Sequence, residues 1–150
     1  MIYLDNSATT RVLPEAADAA QRAMREDFFN PAAGYKPAVE TERAVNAARA
    51  RLAGALGCAA GEVYYTSGGT ESNNMAIFGT LKAGRGKRRV ITCKNEHPSV
   101  YAAVLSLERE PDIEPVLIGC TKDGAADLGE LETALTEDTA LVSLMHVNNE

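Results

Sequence analysis

The chain has no surplus of basic residues. It carries 15 Lys plus Arg against 21 Asp plus Glu, a net charge of −6. Nothing in that balance neutralises phosphates, so nucleic-acid binding is excluded as an expectation. There is no run of the roughly 20 apolar residues a membrane helix needs. The opening MIYLDNSATTRVLPE lacks the basic-then-apolar pattern of a signal peptide. Cysteine is scarce: Cys58, Cys93 and Cys120 are an odd count without C-x-x-C spacing. They read as free thiols in a reducing compartment, not as a disulfide framework or zinc site. A cytoplasmic setting is expected.

What is present suits a folded domain. Apolar residues make up 45% of the 150 and charged residues 24%, which is ordinary globular usage and argues against disorder. Pro14 predicts a helix to about Glu26, since Pro is tolerated in a first helical turn. Phe28–Lys36, with Asn30-Pro31 and Gly34, predicts a loop. Pro37 opens a second helix to about Leu56, and Gly57 stops it.

From residue 62 the rhythm changes. Strands are predicted at Glu62–Thr66, Arg89–Cys93, Glu114–Ile118 and Thr139–Met145. Helices are predicted at Thr70–Leu81, His97–Arg109 and Asp127–Leu135. For the last, Asp127 is the expected N-cap, with Glu130 completing a capping box. Alternating strands and helices predict an α/β fold: a mostly parallel sheet with helices on both faces. Ligands of such sheets bind beyond the carboxyl ends of the strands.

Three strand ends carry candidate chemistry. Ser67-Gly68-Gly69-Thr70 opens a helix, where bare N–H groups and the helix dipole favour an anion. It is neither a Walker A loop nor G-x-G-x-x-G, and a plain tight turn with an N-cap fits it equally. His97, in Asn95-Glu96-His97-Pro98, can stack on a flat ring or move a proton near neutral pH; a capping role is the competing reading. His146-Val147-Asn148-Asn149-Glu150 sets polar groups after an apolar strand. Asn148 there can grip a phenolic oxygen or a carboxylate, or belong to an ordinary turn. The thiols have no activating neighbour in sequence and read as structural. The cluster Arg85–Arg89 reads as a solvated loop.

Five segments together resemble the cysteine desulfurases, the NifS/IscS-like members of the class V aminotransferases. They are Tyr3–Thr10 (YLDNSATT), Asn30-Pro31, Thr66–Asn74 (TSGGTESNN), Glu96–Val100 (EHPSV) and Met145–Glu150 (MHVNNE). The resemblance implies a pyridoxal phosphate (PLP) enzyme of fold type I. Such an enzyme takes sulfur from L-cysteine, leaving L-alanine and a persulfide, for Fe-S cluster assembly or other sulfur transfer. Gly69 and Thr70 are implied to hold the cofactor phosphate. His97 is implied to stack on the pyridine ring and move protons, and so to be catalytic. Asn148 is implied to contact the phenolic oxygen or the substrate. A homodimer and a sulfur-acceptor or Fe-S scaffold partner are implied as well.

By the same resemblance, residues 1–60 form an N-terminal arm with helices. Residues 61–150 form the first part of the PLP-binding large domain. The family's cofactor-anchoring Lys and persulfide Cys fall after the Val-Asn-Asn-Glu motif. None of Lys36, Lys82, Lys87, Lys94 and Lys122 stands in the matching context, so the 150 residues alone are expected to be inactive. Tyr35 and Ala38 stand where the family's loop carries His and Gly. Selenocysteine lyase, another class V aminotransferase, and a non-catalytic interaction domain are the alternative readings.

Overall fold

The computed structural model describes residues 2–84 and 86–148. Contacts divide the chain between Tyr65 and Thr66 into two compact units.

The first unit holds two helices, α1 (Pro14–Arg25) and α2 (Lys36–Leu56). Local signals start and stop both. Each has Pro in its first turn, where the missing N–H costs nothing. Gly57 closes α2 at φ +71°, a left-handed conformation that favours glycine. Ala38 is fully buried in the first turn of α2. Tyr35 meets Phe29 edge to face, ring centres 6.1 Å apart.

The strand expected at Glu62–Thr66 does not form. Glu62 ends a short 3-10 turn, Ala60–Glu62, and residues 63–66 have no regular structure. The β-branched and aromatic residues of this segment suit a pleated strand. A strand also needs a neighbour for its N–H and C=O groups, and among the described residues none pairs with this segment. Its side chains turn to α2 instead. The Arg49 guanidinium lies 5.2 Å from the Tyr65 ring centre, and the Tyr65 hydroxyl points to the Val45 carbonyl at 3.4 Å.

The second unit runs α3 (Gly69–Ala83), β1 (Arg89–Cys93), α4 (Pro98–Ser106), β2 (Glu114–Ile118), α5 (Leu128–Ala134) and β3 (Thr139–Ser143). The three strands are parallel in the order β2-β1-β3. Alternation along β1 sorts two cores. Val90 packs with Ile77 of α3, with Val100, Ala103 and Val104 of α4, and with Leu107. Ile91 and Cys93 pack on the other face with Ile118, Val142 and Leu131 of α5. Helices therefore cover both faces, as expected. Buried Thr92 spends its hydroxyl on the Ser143 carbonyl at 2.9 Å.

The ends of α4 and β3 differ from expectation, each for a visible reason. The helix foreseen over His97–Arg109 is α4 followed by a 3-10 turn, Leu107–Arg109, with His97 as its N-cap. β3 ends at Ser143, because the Met145 N–H goes to the Glu96 carboxylate and leaves the ladder. Asp127 does cap α5, accepting the Gly129 and Glu130 N–H groups at 2.9 and 3.0 Å. The capping box stays half made. The Asp127 N–H already donates to the Gly119 carbonyl, so Glu130 accepts the Gly119 N–H instead, at 2.7 Å.

Candidate functional site

The chain runs from β1 outward to β2, then crosses back past β1 to β3. The helix after β1, α4, covers one face of the sheet, and the helix before β3, α5, covers the other. Ligands of open α/β sheets bind in crevices beyond the carboxyl ends of the strands. A cavity of about 700 Å³ lies there, lined by residues that follow all three strands: Lys94 to Pro98, Cys120 with 123–125, and Met145 with Asn148.

His97 sits on this cavity as the N-cap of α4. Its Nδ1 accepts the Ser99 N–H at 3.1 Å, so Nδ1 carries no proton. The Ser99 hydroxyl, 2.7 Å from the same nitrogen, must then donate to it. In turn the Asn73 side-chain N–H donates to Ser99 Oγ at 2.8 Å. This chain of donors puts the proton of the neutral ring on Nε2 and ties α3 to the ring.

Asn148 donates to the Asn95 carbonyl at 2.7 Å, and the Asn95 side chain donates to the Gly124 carbonyl at 2.7 Å. The loops after β1, β2 and β3 are thereby laced together. Glu96 adds the second lace through the Met145 N–H. Partial burial pushes its carboxyl pKa above the ordinary value. Sequence reasoning gave Glu96 and Lys94 no role. A carboxylate directly before the His at a strand end was the only available signal, and its partner lies 49 residues away.

Gly69 and Thr70 open α3 and do not line the cavity. Their link to it is the Asn73–Ser99–His97 chain. No side chain caps α3. A Cβ at Gly68 or Gly69 would meet nothing within 4 Å, so the first-turn N–H groups are open to an anion. The Glu71 carboxylate on the same turn accepts the Ser67 N–H at 2.6 Å, which holds its pKa below the ordinary value. His146 is exposed and is not among the cavity residues. Asn149, Glu150 and Arg85 lie outside the described residues. Arg88 and Arg89 are engaged by Asp112 at 2.7 Å and Glu114 at 2.8 Å, so these two arginines are matched locally. No described helix is long and apolar enough to cross a membrane.

A parallel α/β unit with an uncapped helix N-terminus and a polar crevice at its strand ends is built to receive an anionic ligand. The aminotransferase class-V family model matches residues 2–150, and the chain belongs to that family. It is 41% identical over 150 residues to the cysteine desulfurase IscS of Methanosarcina thermophila, covering 99% of this chain and 37% of that protein. To the IscS of Escherichia coli (strain K12 / DH10B) it is 42% identical over 153 residues, covering 99% and 38%. Among solved structures, a NifS-like protein superposes with a TM-score of 0.88 at 32% identity, covering 99% of this chain and 41% of that one. SspA in complex with cysteine superposes with a TM-score of 0.84 at 30% identity, covering 99% and 43%. The chain thus spans well under half the length of these relatives.

The donor set fits pyridoxal phosphate. The uncapped start of α3 offers N–H groups of the kind a phosphate takes. His97 and Asn148 offer a flat ring and an amide on one cavity.

Proposed function

We propose that the chain is the N-terminal portion of a PLP-dependent cysteine desulfurase, which takes sulfur from L-cysteine and leaves L-alanine and a persulfide. The convergence of His97 and Asn148 on one strand-end cavity is the observation that carries this reading. Similarity to IscS over nearly the whole chain supports it. Residues 1–60 would be the N-terminal arm with its helices, and residues 61–150 the first part of the PLP-binding domain. The full protein would be a cytoplasmic homodimer that hands sulfur to an acceptor or Fe-S scaffold protein.

Bound PLP supplies an electron sink for the substrate's α-carbon. The chain's own residues orient and move protons. The Gly69 and Thr70 N–H groups would hold the phosphate. The His97 ring would face the cofactor ring, with its Nε2 proton available to the site. Ser99 and Asn73 keep Nδ1 an acceptor and the ring in one orientation. Asn148 would contact the phenolic oxygen or the substrate. Glu96 and Asn95 keep the wall of the crevice closed.

The test is L-alanine formed from L-cysteine by the full protein that carries this segment, supplied with PLP. His97→Ala should lower kcat by about 10²–10⁴-fold, the range for losing a general acid–base group. Asn148→Ala should have a smaller effect. The 150 residues alone should release no alanine. Turnover of selenocysteine with none of cysteine would move the reading to a selenocysteine lyase. Unchanged kcat in His97→Ala would overturn the role given to His97.

A further inference from the structure

Two of the three cysteines are neighbours in space. Cys93 ends β1 and is buried on the face that α5 covers. Cys120 follows β2, is exposed, and lines the strand-end cavity. Their sulfurs are 3.3 Å apart although 27 residues separate them in sequence. Both are free thiols.

The backbone around the pair is pinned. The Lys94 N–H donates to the Ile118 carbonyl at 3.0 Å, and the Asp127 N–H to the Gly119 carbonyl at 3.0 Å. Cys120 bridges Ala126 across a small antiparallel turn, and Asn95 holds that turn through the Gly124 carbonyl. A disulfide needs its sulfurs about 2.05 Å apart. From 3.3 Å, closing the bond takes a movement of about 1.3 Å.

We propose that Cys93 and Cys120 form a redox-active dithiol that a hydroperoxide converts reversibly to a disulfide in the wall of the cavity. The two thiols divide the work by exposure. Cys120 meets the oxidant. Its thiolate attacks the peroxide O–O bond, an S–O bond forms, the O–O bond breaks, and the departing oxygen takes a proton to leave as alcohol or water. Cys120 is then a sulfenic acid. Cys93 Sγ attacks Cys120 Sγ, the S–S bond forms, and the S–O bond breaks. The Cys93 proton leaves with the hydroxide as water. Two thiols and one hydroperoxide give one disulfide, one alcohol and one water, a two-electron exchange.

Burial pushes the Cys93 thiol above its ordinary pKa, and its S–H donates to the Gly119 carbonyl at 3.3 Å. Cys93 is thus shielded from direct attack and suited to the second step. Oxidation would withdraw a free thiol from the same wall that carries His97.

The full protein is treated with hydrogen peroxide, its remaining thiols are alkylated, and peptides are read by mass spectrometry. The expected product is a peptide pair joining Cys93 to Cys120, lighter by two hydrogens and released by dithiothreitol. Cys58, exposed and without a sulfur neighbour, serves as the internal control and stays alkylatable for longer than Cys120. In Cys93→Ala, which keeps the buried position apolar, Cys120 should pass on to sulfinic acid, with at least a tenfold gain in that product over the unchanged protein. Two results would overturn the proposal: sulfinic acid at Cys120 in the unchanged protein with Cys93 still alkylatable after denaturation, or equal sulfinic acid with and without Cys93.

Discussion

The residues up to Tyr65 and those from Thr66 onward are built differently. In α1 no residue is buried, and α2 buries only Ala38 and Ala53. The large fully buried side chains, Ile91, Leu107, Ile118, Val90 and Val104, all lie in the second unit. The first unit is specified by local signals: proline at helix starts, alanine through the helices, glycine at the end of α2. The second is specified by non-local pairing of three parallel strands. Candidate chemistry collects in the second, because only a pinned sheet brings three loops of distant sequence to one crevice.

The largest effect that tests this contrast is on the core. Ile91→Ala should cost about 2–5 kcal/mol in urea unfolding, since Ile91 is fully buried between β1 and α5. Met24→Ala, at a position 73% exposed in α1, should stay within about 0.5 kcal/mol. Equal losses would break the comparison.

Local stops and caps should matter similarly in both units. Gly57→Ala forces a Cβ into a left-handed backbone at φ +71° and should cost about 1 kcal/mol. Asp127→Ala removes the acceptor for two N–H groups at the start of α5 and should also cost about 1 kcal/mol. Thermal unfolding of the two variants checks both.

The smallest effect concerns pH, and two carboxylates of the second unit carry opposite signs. The Glu71 pKa is lowered on folding, chiefly by the Ser67 N–H. Its stabilisation is present above the ordinary carboxyl value and is lost as pH falls through the folded value. The Glu96 pKa is raised on folding, chiefly by burial. Its contribution is present below the ordinary value and is lost as pH rises through the folded one. Glu71→Gln should therefore flatten the acid limb of the stability curve, and Glu96→Gln should steepen it. Urea midpoints between about pH 3 and pH 7, across the carboxyl titration range, show the difference.

Much of the second unit was legible. Arg89–Cys93 and Glu114–Ile118 read as strands from composition alone, and Asp127 read as a cap from its type and place. The segment Val63–Thr66 misled because β-propensity reports a fit to a pleated surface and says nothing about a partner. In the site, His97 and Asn148 were legible as polar residues after strands, and the cavity brings both together. The Asn73–Ser99 bond, the Glu96–Met145 bond and the Cys93–Cys120 contact were not legible. Each joins residues 26 to 49 positions apart, and tertiary packing of strands and helices brings them together.

Under the proposed function, pyridoxal phosphate binds the second unit with its phosphate at the start of α3 and its ring at the crevice that His97 and Asn148 line. Amide and side-chain NMR of the labelled protein, titrated with pyridoxal phosphate, tests it most directly. Signals of Gly69, Thr70, His97 and Asn148 should shift together and saturate with one affinity, while those of α1 and α2 stay in place. Saturable shifts confined to α1 and α2, with Gly69, Thr70 and His97 unmoved, would contradict it.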